Sequence, residues 1–153
     1  MPVPEVFFNP YQRGPIDLFS ASFREKRDKA ICKRLQEINE RSWAEKLLYT
    51  FDLRYNIACH LISWKRIEKK QLDLLLSIVP VVDLMKILDR MSFNLKDMKT
   101  GFPDLIIFDL KNHAYNLIEV KGPGDQLRPN QKRWLRYFEK NNIPYKVADI
   151  KWK

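Results

Sequence analysis

At 153 residues, with 45% hydrophobic and 31% charged content, the chain is long enough to bury one core and is composed like an ordinary soluble globular protein. Its net charge of +9 and pI near 9.6 favour a polyanionic partner such as nucleic acid, with a membrane surface or simple solubility as the competing explanations. Isolated Cys32 and Cys59, with His60 and His113 the only histidines, exclude zinc-ligand spacing and a disulfide framework, and no signal-like start or run of roughly 18 to 20 apolar residues suggests export or a membrane span. The expectation is one soluble domain in a reducing, intracellular compartment.

Met1 to Pro15 carries Pro2, Pro4, Pro10 and Pro15 with Phe7, Phe8 and Tyr11 between them. Proline removes backbone donors and aromatics seek burial, so this stretch reads as an irregular arm packed on the domain. From Ser22 the pattern turns helical. Ile31, Leu35 and Ile38 recur at helical spacing, Ser22 with Glu25 forms a capping-box signature, and Arg24, Lys26, Arg27, Lys29, Lys33 and Arg34 cover the remaining surface. That basic surface is either a DNA-backbone contact or a solvated face. Ser42 with Glu45 repeats the capping signature ahead of a second helix through Trp43, Leu47, Leu48 and Phe51.

The segment Ile57 to Ile67 is ambiguous between helix and strand; Cys59 and His60 within it read as core rather than ligands, and Trp64 as a packing residue or a stacking platform. Leu72, Leu75, Leu76 and Val79 mark a third helix that Pro80 ends. Val81 to Phe93 reads as a fourth, with Leu84, Met85, Ile87, Leu88 and Met91 along one broad face.

The stretch from Gly101 to Gln131 concentrates the chemistry. Leu105 to Phe108 is strongly β-prone, Asp109, Lys111, Asn112 and His113 supply turn residues, and Tyr115, Leu117, Ile118 and Val120 rise again, which predicts a β-hairpin. Strand alternation puts Glu119 and Lys121 on one side and turns only the main chain of Val120 toward the Glu119 site. Two carboxylates, Asp104 and Glu119, brought to one rim without an arginine between them suit a hard divalent cation, magnesium or manganese, while the Lys121 ammonium can orient or help deprotonate a water and offset charge on a phosphate. After Gly122, Pro123 and Gly124, Arg128 and Pro129 stand at a helix start. On the helix from Asn130 to Lys140, Gln131, Leu135 and Phe138 share one face and Lys132, Arg136 and Lys140 another, with Arg133 and Tyr137 beside them. Trp134 and Tyr137 read as packing residues. Tyr145, Val147 and Ile150 make a last strand.

Pro103 and Asp104, followed by Glu119, Val120 and Lys121, resemble the PD-(D/E)xK nuclease signature, and with Gly122, Pro123, Asp125, Leu127 and Gln131 the longer string resembles the VRR-nuclease domain. Trp64 and the helices after it resemble the C-terminal part of the Fanconi-associated nucleases. The resemblance implies an α/β, restriction-endonuclease-like fold with a small mixed sheet flanked by helices and a largely helical N-terminal half. It divides the single domain 1–153 into a helical part, 1–100, and a part holding the catalytic hairpin, helix and last strand, 101–153, within the C-terminal piece of a longer protein.

It further implies that Asp104, Glu119 and the Val120 carbonyl bind Mg2+ or Mn2+, that Lys121 and Gln131 act with them in catalysis, and that Arg128, Lys132, Arg133 and Arg136 border DNA. The implied activity is metal-dependent cleavage of branched or 5′-flap DNA, with 5′ to 3′ exonuclease action, in interstrand crosslink repair, in the cytoplasm or nucleoid of a prokaryote or the nucleus of a eukaryote. The family's further upstream glutamate has no counterpart among Glu25, Glu37, Glu40 and Glu45. This leaves a non-catalytic DNA-binding fragment, or a standalone resolvase-like endonuclease, as alternatives.

Overall fold

The computed structural model describes residues 8–9, 11–38, 42–98 and 100–151. They form two compact units, Met1–Leu95 and Lys96–Lys153. The first unit is helical: α1 (Phe23–Ile38), α2 (Trp43–Arg54), α3 (Lys69–Ile78) and α4 (Val81–Phe93), with α1 packed on α4 and α2 on α3. A short α5 (Leu95–Met98) leads into the second unit, which holds β1 (Leu105–Asp109), β2 (Ala114–Lys121), α6 (Pro129–Asn141) and β3 (Tyr145–Asp149).

In the first unit Pro80 does two jobs. It follows the C-cap Val79 of α3 and stands at the N-cap of α4, where its carbonyl accepts from Asp83 and Leu84 N–H at 2.9 and 3.2 Å. The serine caps do not form as the sequence suggests. Ser22 turns its hydroxyl back to Ser20 at 2.9 Å, and Ser42 stands at the N-cap of α2 without a side-chain cap bond. A glutamine closes the start of α3 instead, where Gln71 Oε1 accepts the Glu68 N–H at 3.1 Å.

Two of the cations assigned to the outer surface of α1 are internal ties. Arg24 is buried; its Nε donates to Asp28 and its Nη1 to Asp89, each at 3.0 Å, with Ser92 also on Nη1 and the Phe93 ring 4.7 Å below. Arg27 grips Asp17 through two bonds of 2.8 Å and lies over Phe23 at 4.2 Å. Asp28 stands one turn along the same helix, but Asp89 and Asp17 come from elsewhere in the chain, so helical periodicity alone could not reveal them.

Between α2 and α3 the backbone is irregular except for one 3-10 turn, Trp64–Arg66. No apolar face forms there, so Cys59 is only half-buried and His60 is exposed, against the core placement read from sequence. Trp64 does pack. It sits edge-on to Phe51 and Tyr55 at 5.6 and 5.8 Å and donates its indole N–H to the Ile57 carbonyl at 2.7 Å. Of the N-terminal aromatics, Phe8 and Tyr11 are 67% and 91% exposed rather than packed, and Phe7 lies outside the described residues.

The second unit is a three-stranded mixed sheet in the order β1-β2-β3 with α6 against one face. β1 and β2 pair antiparallel from Leu105–Ile118 to Asp109–Ala114, and β2 pairs parallel with β3 from Leu117–Tyr145 to Lys121–Asp149. Asp109 fixes the hairpin turn by accepting from Lys111 and Asn112 N–H at 3.1 Å each, while His113 takes a left-handed φ of 51°. Tyr115, Leu117, Trp134, Leu135, Phe138 and Ile143 form the core, with Phe138 and Trp134 at 0% and 1% exposure. Their rings stack at 5.3 Å, Phe102 meets Trp134 edge-on at 5.0 Å, and the Trp134 indole N–H donates to the Met98 carbonyl at 3.2 Å. The packing role read for Trp134 therefore holds. Asn142, at φ 56°, ends α6 as a left-handed C-cap.

Replacing Phe138 by Ala should destabilise the protein by about 3 to 5 kcal/mol in urea unfolding. The Asp17→Asn change has a pH signature. Hydrogen bonds from Arg27 hold the Asp17 carboxyl below its usual value of 3.8, so its stabilising effect is full above that value and fades as the pH falls through the folded-state value. The variant should lose on the order of 1 kcal/mol at pH 7, and its deficit relative to the parent should shrink in acid melts.

Candidate active site

The site is built where β2 passes the first turn of α6. Glu119 and Lys121 project from β2 toward α6 and are 1% and 7% exposed. Burying two opposite charges is tolerable only when each is neutralised and hydrogen-bonded. Here Lys121 Nζ lies 3.0 Å from Glu119 Oε1 and donates to Gln131 Oε1 at 3.0 Å, while Gln131 Nε2 donates to that same Glu119 oxygen. The Gln131 carbonyl oxygen also accepts the Arg128 N–H at 2.9 Å and so closes the helix start. One carboxamide thus joins strand, helix cap and both charges, as the shared face of Gln131, Leu135 and Phe138 anticipates.

Asp104 arrives by a different route, just ahead of β1. Its Oδ2 accepts the Val120 N–H at 2.9 Å. The N–H and C=O of one strand residue point to the same side, and the neighbouring Lys121 carbonyl faces β3, where it accepts the Ile150 N–H at 2.8 Å. The Val120 carbonyl therefore faces the rim that carries Asp104. Asp104, Glu119 and Val120 are brought together at the start of β1 and the end of β2, with Lys121 and Gln131 behind Glu119.

Asp104 Oδ1 and Glu119 Oε2 have no protein donor among the described residues. Two open carboxylate oxygens and one carbonyl are hard-oxygen donors of the kind that suits a divalent cation with water filling the remainder. Among the described residues no group of three or more His, Cys, Asp or Glu could hold a metal, so a third carboxylate is not part of this set.

The basic residues separate from the core as the sequence predicts. Arg128, Lys132, Arg133 and Arg136 are exposed along the start and outer side of α6. What sequence reading missed is the strap before Asp104. Gly101 adopts φ 80°, and a Cβ there would lie 2.8 Å from Asn130 and from the Gln131 nitrogen. Asn130 holds the strap by donating to Thr100 Oγ1 at 3.2 Å. The Gly-Phe-Pro-Asp run contains the signal, since glycine is the residue that permits both this φ and this approach.

The model of the VRR-NUC domain family matches residues 38–152. The chain belongs to the VRR-NUC domain family. Among curated relatives of this VRR-NUC chain, the Fanconi-associated nuclease 1 homolog of Pseudomonas aeruginosa is 29% identical over 98% of the chain, and the Fanconi-associated nucleases 1 of Danio rerio and Mus musculus are each 30% identical over 97%. The chain spans 27% of the bacterial relative and 15% of each vertebrate one. Among solved structures, paFAN1 bound to 2nt 5′flap DNA with gap superposes with a TM-score of 0.90 at 28% identity, covering 97% of the chain and 27% of that protein. The α/β fold and the family resemblance read from the sequence are thus borne out.

If the VRR-NUC site depends on the strap lying against α6, Gly101→Ala should cost more than about 1 kcal/mol and move the Gln131 side-chain amide signals in NMR spectra. Gly124→Ala shares the left-handed strain, at φ 81°, but meets no atom within 4 Å, so it should cost less and leave those signals in place.

Proposed function

We propose that this domain hydrolyses phosphodiester bonds in branched or 5′-flap DNA, using a divalent cation held by Asp104, Glu119 and the Val120 carbonyl. The observation that carries the reading is the bond that ties Asp104 to Val120, next along β2 from Glu119 with its buried lysine and glutamine, in a chain whose relatives are Fanconi-associated nucleases. When bound, Mg2+ or Mn2+ supplies an activated water and offsets charge on the phosphoryl oxygens.

The protein's own residues have distinct tasks. Asp104 presents its open oxygen from the strap just ahead of β1, and Glu119 presents its own from β2. Lys121 spends two of its N–H donors on Glu119 and Gln131, which fixes the ammonium and leaves its third for a water or a phosphate oxygen. Gln131 keeps Glu119 and Lys121 in one geometry. Arg128, Lys132, Arg133 and Arg136 attract the backbone of the strand and set its position without reading bases. On this reading the protein works with the chromosome, in the cytoplasm or nucleoid of a prokaryote or the nucleus of a eukaryote.

A second reading, a module that holds DNA without cutting it, is favoured by the carboxylate count, since among the described residues no third acid joins Asp104 and Glu119. Nuclease assays on 5′-flap and single-stranded DNA separate the two. On the hydrolytic reading, Asp104→Ala and Glu119→Gln each cut at least roughly a hundredfold more slowly in magnesium while binding DNA as well as the parent, and chelation of the metal stops cutting. A parent that binds DNA but cuts none in magnesium or manganese decides for the holding module. On either reading, Lys132→Ala and Arg136→Ala should each lower the slope of log affinity against log salt by about one.

A further inference from the structure

The C-terminal ends of β2 and β3 open into a cleft of about 660 Å3, next along the chain from Lys121. Its walls are fixed to the candidate catalytic strand. Ile150 donates its N–H to the Lys121 carbonyl at 2.8 Å, and the turn after Lys121 is closed by Asp125 N–H on the Gly122 carbonyl at 3.1 Å and Gly122 N–H on Asp125 Oδ2 at 3.3 Å. Pro123 and Ile150 give the cleft apolar surface. Gly124 keeps one side clear, with nothing within 4 Å of the place a Cβ would occupy.

The polar lining holds two carboxylates, Asp125 and Asp149, and one ammonium, Lys151. Asp149 has no hydrogen-bond donor among the described residues, and Asp125 has its Oδ1 open. Two carboxylates repel a phosphate, so this cleft does not suit the DNA backbone that the α6 cations attract. Acceptors beside apolar walls suit the donor edge of a flat heterocycle, which is how bases removed from a stack are held. Lys151, at the chain end of the lining, can neutralise the phosphate that such a base carries with it.

We propose that the cleft receives one unpaired nucleobase of the strand being cut, with guanine preferred; this rests on the DNA-binding reading above. Guanine presents its N1–H and 2-amino N–H side by side, which a carboxylate accepts as a pair. Adenine and cytosine set an acceptor nitrogen beside their amino group, and thymine flanks its single N–H with two carbonyls, so each places a repelling oxygen or nitrogen against the carboxylate. Asp149 is the residue assigned to this contact, because Asp125 is partly committed to the turn.

The test is DNA binding by the whole chain in EDTA, followed by fluorescence anisotropy. The 5′-flap DNAs differ only in the unpaired nucleotides next to the junction: guanine, hypoxanthine, which lacks the 2-amino group, or thymine. The parent should bind the guanine flap about fivefold tighter than the hypoxanthine flap, the effect of one lost base-edge hydrogen bond, and the thymine flap more weakly still. Asp149→Asn should erase the difference between guanine and hypoxanthine. Equal affinity of the parent for guanine and hypoxanthine flaps overturns the proposal without calling on any variant. So does an Asp149→Asn protein that binds all three DNAs more tightly by one common factor, the behaviour of a merely repelling anion. Base-blind binding removes the cleft's role alone, whereas a parent that binds none of the DNAs removes the DNA-binding reading together with it.

Discussion

The second unit depends on a single side-chain amide. Gln131 accepts from Lys121 and from the Arg128 backbone through one oxygen and donates to Glu119 through its nitrogen. A buried carboxylate and ammonium side by side would each demand more partners than the other can give. The amide satisfies both while also capping the helix that carries it, so the start of α6 and the charges on β2 are one assembly. A hydrophobic residue at this position would leave the Arg128 N–H and part of the Lys121 ammonium without acceptors, and a carboxylate would bring a second negative charge against Glu119.

Around that contact the apolar packing fixes where the charges can lie. Trp134 and Phe138 anchor α6 to the sheet, and Phe102 crosses Trp134 just before Asp104 leaves the strap for β1. The left-handed Gly101 brings this strap against Asn130 and Gln131, and the Asp104 carboxylate then meets the Val120 N–H. Rim and clamp are therefore positioned by the same helix. The helical unit uses a comparable device at a larger spacing: Arg24 gathers Asp28 on its own helix and Asp89 on another, with the Phe93 ring covering the guanidinium.

Local periodicity made the hairpin, the common orientation of Glu119 and Lys121 and the inward face of Gln131 legible, because alternation in a strand and spacing on a helix are properties of neighbouring residues. The bounds of α4 and the stop at Pro80 were legible for the same reason. Contacts between residues far apart in sequence were not. Arg24 and Arg27 look like any other cations on a basic helix until Asp89 and Asp17 are brought to them, and the bond from Val120 to Asp104 depends on a turn that only a glycine foreshadowed. His60 failed in the opposite direction. Its apolar neighbours suggested a core, yet they fall on irregular backbone that gives them no common face.

The proposed hydrolysis requires two carboxylates, one from just ahead of β1 and one from the end of β2, to meet at one cation. The most direct measurement of that requirement is paramagnetic broadening of backbone amide signals on adding Mn2+ well below the protein concentration. Broadening should centre on residues 104, 119, 120 and 121 and disappear from all four when Asp104 is changed to Ala. Broadening centred elsewhere, or unchanged at Glu119 in the Asp104→Ala protein, would show that the two acids do not share an ion.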